Sequence, residues 1–170
     1  MLVINLFAGP GRGKSAMSAE VFALLKKRGI NCELIQEYAK SRVWEESFRT
    51  LDDQIYVFGK QSHKQWQCEG KVDVIVTDSP LLLSIIYDKS KTELLAELVM
   101  HVFDQYDNLN IMLDYSFDGY ETVGRMQNKH ESDSIHEDIR NLLDEELYEY
   151  YNLTKPDATK IVEWVLMRLK

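Results

Sequence analysis

Residues 2–17 read LVINLFAGPGRGKSAM, an apolar run followed by a glycine-rich turn and a helix-compatible segment. The apolar run, Leu2–Phe7, predicts a fully apolar strand at the centre of a parallel sheet, because such strands are buried on both faces. From residue 15 to residue 28, apolar side chains recur at helical spacing, and Gly29 is a natural helix end. A strand, a glycine-rich turn and a helix in this order are typical of a loop that wraps phosphate groups with backbone N–H donors.

The turn at residues 9–15, called the phosphate loop below, has the residue types that phosphate binding requires. Glycines let a polyanion approach the backbone, the lysine reaches the terminal phosphates, and the serine hydroxyl suits magnesium. We therefore predict ATP and Mg²⁺ as cofactors. The expected nucleotide-binding residues are Gly9, Pro10, Gly11, Arg12, Gly13, Lys14 and Ser15. One position departs from the usual pattern: Ala8 replaces a glycine, which the loop tolerates if the backbone there needs no positive φ.

Strand and helix patterns alternate along the rest of the chain. Further strands are expected at 32–35, 72–77, 109–113 and 148–153, and further helices at 51–68, 81–87, 92–106, 134–144 and 157–170. This order predicts an α/β fold with a doubly wound parallel sheet of about five strands, in a single domain spanning residues 1–170. Residues 116–132 have weak periodicity and mixed charge, so a lid is expected there.

The composition is that of an ordinary globular protein, with 45% hydrophobic and 28% charged residues. The formal net charge is −8, which predicts no general attraction to nucleic acid or anionic membranes. No apolar run approaches the ~20 residues of a membrane span, and the N-terminal run lacks a basic leader. We expect a cytoplasmic protein in which Cys32 and Cys68 are free thiols.

Polar residues that follow predicted strands are candidates for chemistry at one edge of the sheet. Asp78 follows the third strand, where a carboxylate can assist magnesium together with Ser15. Glu37 follows the second strand and can accept a proton from, or orient, a substrate hydroxyl. Arg125, in the expected lid, can neutralise charge on a transferred phosphoryl group. The expected catalytic residues are thus Lys14, Glu37, Asp78 and Arg125, and the expected metal ligands are Ser15 and Asp78.

Two of these candidates, Glu37 and Arg125, also have a plain structural interpretation. Glu37 would stabilise the N-terminus of a following helix, and Arg125 would be a solvated loop arginine. The helix expected at 51–68 carries Ile55, Phe58 and Trp66 as its apolar residues. Its polar residues that recur at helical spacing either face an acceptor pocket or lie on a solvated face, and these are Gln54, Lys60 and Gln61.

The four histidines carry no prediction of chemistry. His63 is expected at the surface, next to the polar residues of the long helix. His101, His130 and His136 have no metal-ligand spacing with one another or with the cysteines, so no role is predicted for them.

Two classes of nucleotide-binding protein fit the sequence poorly. Motor-type ATPases commonly place a glutamate next to the strand-end aspartate, whereas Ser79 and Pro80 follow Asp78 here. Guanine-specific switch proteins use an Asn-Lys-x-Asp string, and the nearest string here, Asn-Lys-His-Glu at 128–131, ends in the wrong residue. The remaining residue set is the one that phosphoryl transfer to an acceptor needs.

With these motifs, the chain resembles the P-loop nucleoside and nucleotide kinases. It looks more specifically like small phage and bacterial P-loop proteins related to the nicotinamide riboside kinase domains of bacterial NAD regulators. The segments behind this resemblance are QEYAK at 36–40, Gln54, FGKQ at 58–61, DSP at 78–80 and GR at 124–125. The resemblance implies that Lys14, Ser15 and Asp78 serve Mg-ATP, Glu37 the acceptor and Arg125 the lid. A phage protein of this kind would act in the host cytoplasm.

Three functions remain open at this point. The favoured one is an ATP-dependent phosphotransferase whose partner is a nucleoside, a nucleotide or a related ribosylated small molecule. The second is a kinase that acts on a modified base in phage DNA, against which the charge of −8 argues. The third is a nucleotide-binding regulatory ATPase without a phosphoacceptor. Nucleic acid and membrane are disfavoured as partners, and a homodimer is left open.

Overall fold

The structure is a computed structural model that describes residues 1–38, 48–115 and 129–169. This part of the chain contains five strands and seven helices. The strands are β1 (Leu2–Phe7), β2 (Cys32–Ile35), β3 (Val74–Thr77), β4 (Asp107–Leu113) and β5 (Tyr150–Leu153). The helices are α1 (Lys14–Lys27), α2 (Phe48–Leu51), α3 (Gln54–Trp66), α4 (Leu83–Tyr87), α5 (Glu93–Phe103), α6 (Lys129–Glu145) and α7 (Ala158–Arg168).

All five strands form one parallel sheet in the order β2-β3-β1-β4-β5. β1 lies at the centre, and every one of its residues is buried, as is every residue of β3. Such strands need covering helices on both faces, and crossover connections supply them. The predicted α/β fold with a five-stranded parallel sheet is confirmed.

Alternate residues of β1 point into two different cores. Leu2, Ile4 and Leu6 pack in one core with Val21 of α1 and Val162 of α7. Phe7 packs on the opposite face of the sheet, in a core that includes residues of α3, α4, α5 and α6. The sheet is therefore covered by helices on both faces, as a doubly wound fold requires.

One residue of β1 departs from the predicted apolar strand. Asn5 is buried, and its side-chain amide donates to the side-chain oxygens of Asn108 at 2.8 Å and Asn110 at 3.1 Å. Asn110 in turn donates to the backbone oxygen of Glu149 at 3.1 Å. Because each buried amide finds a partner on a neighbouring strand, the polar side chains are accommodated within the sheet.

The buried face of α3 also differs from the prediction. Ile55 and Trp66 are 66% and 59% exposed, so only Phe58 of the three expected apolar residues is buried. The other buried side chains of this helix are those of Gln54, Gln61 and Gln65. Periodicity of apolar residues therefore misplaced this helix face, because glutamines, not aliphatic residues, turn inward.

Helix α6 begins earlier than the sequence predicts. It starts at Lys129, so residues 129–132 of the expected lid belong to this helix, whereas residues 116–128 lie outside the described part of the chain. In the described segments, no helix is both long and apolar enough to cross a bilayer.

Candidate functional site

The phosphate loop joins the central strand β1 to helix α1, at the carboxyl edge of the sheet. Gly11 and Gly13 both have a φ of 82°, in the left-handed region that side chains with a Cβ disfavour. Ala8 and Gly9 are not among the described residues with positive φ. Alanine at position 8 is therefore compatible with the loop, and its methyl group is buried in the core.

Lys14 is held against the beginning of the same loop. Its Nζ atom donates to the backbone oxygens of Ala8 at 2.7 Å and Gly9 at 3.1 Å. The ammonium group therefore lies beside the backbone that a phosphate chain approaches in loops of this type.

The N-terminus of α1 is suited to an anion. Gly13 is its N-cap residue, and among the described residues no side chain caps the helix there. The first turn contains no acidic residue that would compete for the N–H groups. Unsatisfied N–H donors and the positive end of the helix dipole both favour a phosphate at this position.

Asp78 and Glu37 meet at the ends of neighbouring strands. Asp78 directly follows β3, is only 3% exposed, and accepts a hydrogen bond from the backbone N–H of Glu37 through Oδ1 at 3.0 Å. Since β3 lies between β2 and β1 in the sheet, Asp78 stands between the strand that leads to Glu37 and the strand that leads to the phosphate loop. The backbone of Glu37, whose side chain is partly buried, is thus anchored to the end of β3.

Two side chains of α3 also form hydrogen bonds with the backbone of the residues that follow β2. Lys64 Nζ donates to the backbone oxygen of Gln36 at 2.9 Å, and Gln61 Oε1 accepts from the backbone N–H of Tyr38 at 3.1 Å. Together with Asp78, these side chains bind a backbone group at each of three successive residues, 36, 37 and 38. We call residues 36–38 the acceptor turn.

Lys64 brings a positive charge to the acceptor turn. Burial lowers the pKa of Lys64, while the nearby carboxylates of Asp78 and Glu37 oppose that shift. Its ammonium also lies 5.7 Å from the centroid of the Tyr38 ring. Sequence patterns do not indicate the position of Lys64, because its partner is the backbone oxygen of Gln36, 28 residues earlier in the chain.

The polar residues of α3 divide between the two interpretations that the sequence allowed. Lys60 is exposed, with its ammonium 5.3 Å from the centroid of the Tyr56 ring. Gln54 is buried and donates to the backbone oxygen of Leu51 at 2.6 Å. Gln61 is buried beside the acceptor turn, and its Nε2 has no hydrogen-bond partner among the described residues.

The donor set near the phosphate loop is compatible with magnesium. Ser15 is exposed at the start of α1, and Asp78 has a second carboxylate oxygen besides the one that Glu37 occupies. Mg²⁺ in proteins is commonly bound by one or two carboxylates and completed by substrate phosphates and water. The described residues contain no cluster of three or more His, Cys, Asp or Glu side chains that would hold a metal alone.

Arg125 is the expected catalytic residue that cannot be placed. It lies outside the described residues, as does most of the expected lid. The other three expected catalytic residues, Lys14, Glu37 and Asp78, follow three adjacent strands of the sheet, β1, β2 and β3.

The sequence analysis missed a histidine beside the phosphate loop. His136 of α6 is 2% exposed, and its Nδ1 accepts a hydrogen bond from the backbone N–H of Gly9 at 3.3 Å. A signal was present: Ser132, His136, Ile139 and Leu143 recur at helical spacing, and these residues form the buried face of α6.

Comparisons with known proteins agree with this fold. No protein-family model matches the sequence, and no curated protein matches it significantly. Among solved structures, deoxyadenosine kinase from M. mycoides aligns over 98% of both chains at 18% identity, with a TM-score of 0.57 for the structure with bound dATP. The structure of the same kinase with the products dCMP and a flexible dCDP gives a TM-score of 0.56. At this identity the similarity shows the fold alone: the chain shares the overall fold of this kinase.

Proposed function

We propose that this protein is an ATP- and Mg²⁺-dependent phosphotransferase that phosphorylates a nucleoside, a nucleotide or a related ribosylated small molecule. The observation that carries the proposal is the hydrogen bond from the Glu37 backbone N–H to Asp78, which links the residue that bears the candidate acceptor carboxylate to the strand end beside the phosphate loop. Motor-type ATPases commonly place a glutamate directly after the strand-end aspartate, whereas Glu37 follows a neighbouring strand.

In this proposal the phosphate loop binds ATP. The N–H groups at the start of α1 and the Lys14 ammonium stabilise the negative charge of the phosphates. Ser15 and Asp78 would hold Mg²⁺, which would supply positive charge to stabilise the phosphates. Arg125 would add positive charge from the lid.

Glu37 would serve the acceptor. Its carboxylate accepts the proton of the acceptor hydroxyl as the oxygen attacks the γ-phosphorus of ATP, and ADP leaves. The contacts of the acceptor turn hold the backbone from which this side chain extends, which would help to keep the attacking oxygen close to the phosphorus. The buried Nε2 of Gln61 is a donor beside the same turn that a polar acceptor group would satisfy.

The similar solved structures support a nucleoside or nucleotide as acceptor. Deoxyadenosine kinase was solved with dATP and with dCMP and dCDP, which are nucleotides. The net charge of −8 disfavours a nucleic acid strand as the acceptor. A ribosylated cofactor precursor such as nicotinamide riboside belongs to the same chemical class.

A product assay tests this proposal. The protein is incubated with Mg-ATP and a panel of nucleosides, nucleotides and NAD precursors, and the products are identified by mass spectrometry. We expect one class of acceptor to gain a phosphoryl group. ATP binding without any phosphorylated product across the panel would favour the regulatory ATPase instead.

The variant Glu37→Gln tests the assigned base with the acceptor found in that assay. It preserves the shape of the side chain and removes its charge, so turnover should fall by ~10²–10⁴-fold while ATP affinity is retained. The matched control is Glu33→Gln, which changes an exposed glutamate of the same strand and should leave turnover unchanged. Near-normal turnover in Glu37→Gln would refute the role of Glu37.

A further inference from the structure

Helix α6 is attached to the phosphate loop by three separate contacts. Gly9 N–H donates to His136 Nδ1 at 3.3 Å, and Arg12 pairs with Asp133 at 2.7 Å. The Ser132 hydroxyl donates to the backbone oxygen of Pro10. The loop residues 9, 10 and 12 are therefore each bonded to the first two turns of one helix.

The close approach of this helix explains the glycine at position 9. The φ angle there is not positive, so the backbone conformation alone does not demand glycine. A Cβ added at Gly9 would instead overlap the backbone oxygen of Ser132, and it would lie 3.2 Å from the Cβ of His136. Gly9 is thus needed for contact with α6.

The hydrogen bond from Gly9 determines the protonation state and the tautomer of the His136 imidazole. A ring nitrogen that accepts a backbone N–H must be unprotonated, so His136 is neutral with its proton on Nε2. That proton faces Asp114, whose Oδ1 is 3.5 Å from Nε2 and also pairs with Arg140 at 3.2 Å. The ring therefore lies between a loop N–H, which it accepts at Nδ1, and a carboxylate near Nε2, an atom that itself makes no hydrogen bond among the described residues.

We propose that neutral His136 is a positioning residue of the phosphate loop, which binds nucleotide tightly only while the Gly9–His136 hydrogen bond is made. The proposal rests on nucleotide binding by this loop, which is part of the proposed function, and it does not depend on which acceptor is phosphorylated.

The charges around His136 favour the neutral form. Burial lowers its pKa, and the guanidinium groups of Arg12 and Arg140 lower it further, against the opposing effect of Asp114. Asp133, which faces Arg12, partly offsets that arginine. If the ring is protonated at low pH, Nδ1–H would face Gly9 N–H, and the hydrogen bond would be lost.

The test measures ATP affinity by calorimetry in the full chain, at about pH 8 and at about pH 4.5, because the pKa of His136 lies below the ordinary histidine value of ~6.5. His136→Ala removes the acceptor, and His136→Asn keeps an acceptor oxygen on the atom that carries Nδ1 in histidine. His130→Asn is the matched control, since His130 is exposed on the same helix.

We expect His136→Ala to weaken ATP binding about tenfold at the higher pH, the effect of losing one hydrogen bond. His136→Asn should bind ATP nearly as the wild type does, and it should lose less affinity at the lower pH. His130→Asn should follow the wild type at both pH values. The proposal is overturned if folded His136→Ala binds ATP normally, or if His136→Asn is as weak as His136→Ala.

The backbone amide of Gly9 gives a second measurement that needs no nucleotide. In NMR spectra, its chemical shift should titrate with pH in the wild type and not in His136→Asn. A Gly9 amide shift that stays constant while the His136 ring resonances titrate would overturn the proposal even if His136→Ala fails to fold. A wild-type protein that binds no ATP would refute nucleotide binding, while the Gly9 titration would still show whether the contact to His136 exists.

Discussion

The carboxylate of Asp78 accepts a hydrogen bond from the backbone N–H of Glu37 at 3.0 Å, so the candidate magnesium ligand also holds the backbone of the residue that carries the candidate acceptor carboxylate. Asp78 follows β3, the strand between the two that end at Glu37 and at the phosphate loop. One side chain therefore connects the two halves of the proposed reaction. Its two functions can be separated by substitution, because the hydrogen bond requires an acceptor oxygen and the metal requires a charge.

Asp78→Asn keeps an oxygen that can accept from Glu37 and removes the negative charge. We expect the variant to remain folded but to lose much of the magnesium dependence of ATP binding, because Mg²⁺ prefers charged oxygen ligands. Calorimetric ATP titrations over a range of magnesium concentrations measure this. Asp73→Asn, an exposed aspartate just before the same strand, is the control. An unchanged magnesium titration in Asp78→Asn would leave Asp78 as a purely structural residue.

Gly9→Ala is expected to destabilise the protein by ~1–3 kcal/mol, because the added methyl group overlaps the Ser132 backbone of α6. The control is Gly59→Ala in α3, where nothing lies within 4 Å of an added Cβ. That substitution should stabilise the helix by ~0.5–1 kcal/mol, since alanine is a better helix former. Urea unfolding of both variants gives the comparison. Equal effects at the two positions would show that α6 is not packed tightly on the loop.

Much of this fold could be predicted from local sequence. The apolar runs predicted the strands, and the glycine spacing predicted the phosphate loop, because a strand and a tight loop are each formed by residues that are close together in the chain. Lys14, Glu37 and Asp78 were predicted to share one edge because each follows a parallel strand. Three expectations stay predictions: the assignment of residues 1–170 to one domain, the lid near residues 116–132, and the roles of the individual site residues.

The features that the sequence did not predict depend on distant partners. Gln61 turns inward because it bonds the backbone of Tyr38, 23 residues away. His136 is buried against Gly9, which is 127 residues earlier in the chain. A buried polar side chain is stable only when it has such a partner, and periodicity alone does not reveal one.

Lys14→Ala should weaken ATP binding by about ten- to a hundredfold, the effect of removing a charged hydrogen-bond donor from the phosphates. Because Lys14 also bonds to Ala8 and Gly9, part of the loss will come from a loosened loop. Lys27→Ala, at an exposed lysine near the end of the same helix, controls for lost positive charge. ATP affinity equal to that of the wild type in a folded Lys14→Ala protein would contradict the assignment of this loop to nucleotide binding.

Lys64→Met tests whether the hydrogen bond from Lys64 to the acceptor turn contributes to the reaction or to the stability of the fold. Burial lowers the pKa of Lys64 in the folded protein. The folded state therefore binds fewer protons than the unfolded chain as the pH approaches the ordinary lysine pKa. At neutral pH, where Lys64 is charged in both states, its burial lowers the stability of the folded protein. Methionine removes that cost together with the hydrogen bond to Gln36, so the thermal stability should change little. Turnover with the acceptor found in the product assay should fall about tenfold, because Glu37 is no longer held in place, while ATP affinity stays near that of the wild type.

Two further variants make the Lys64 result interpretable. Lys64→Arg retains a donor and a charge and should restore part of the turnover. Lys60→Met removes an exposed lysine one turn earlier on α3 and should leave turnover unchanged. If Lys64→Met instead unfolds at a much lower temperature with normal turnover per folded molecule, Lys64 would be a structural residue, and the acceptor turn would not depend on it.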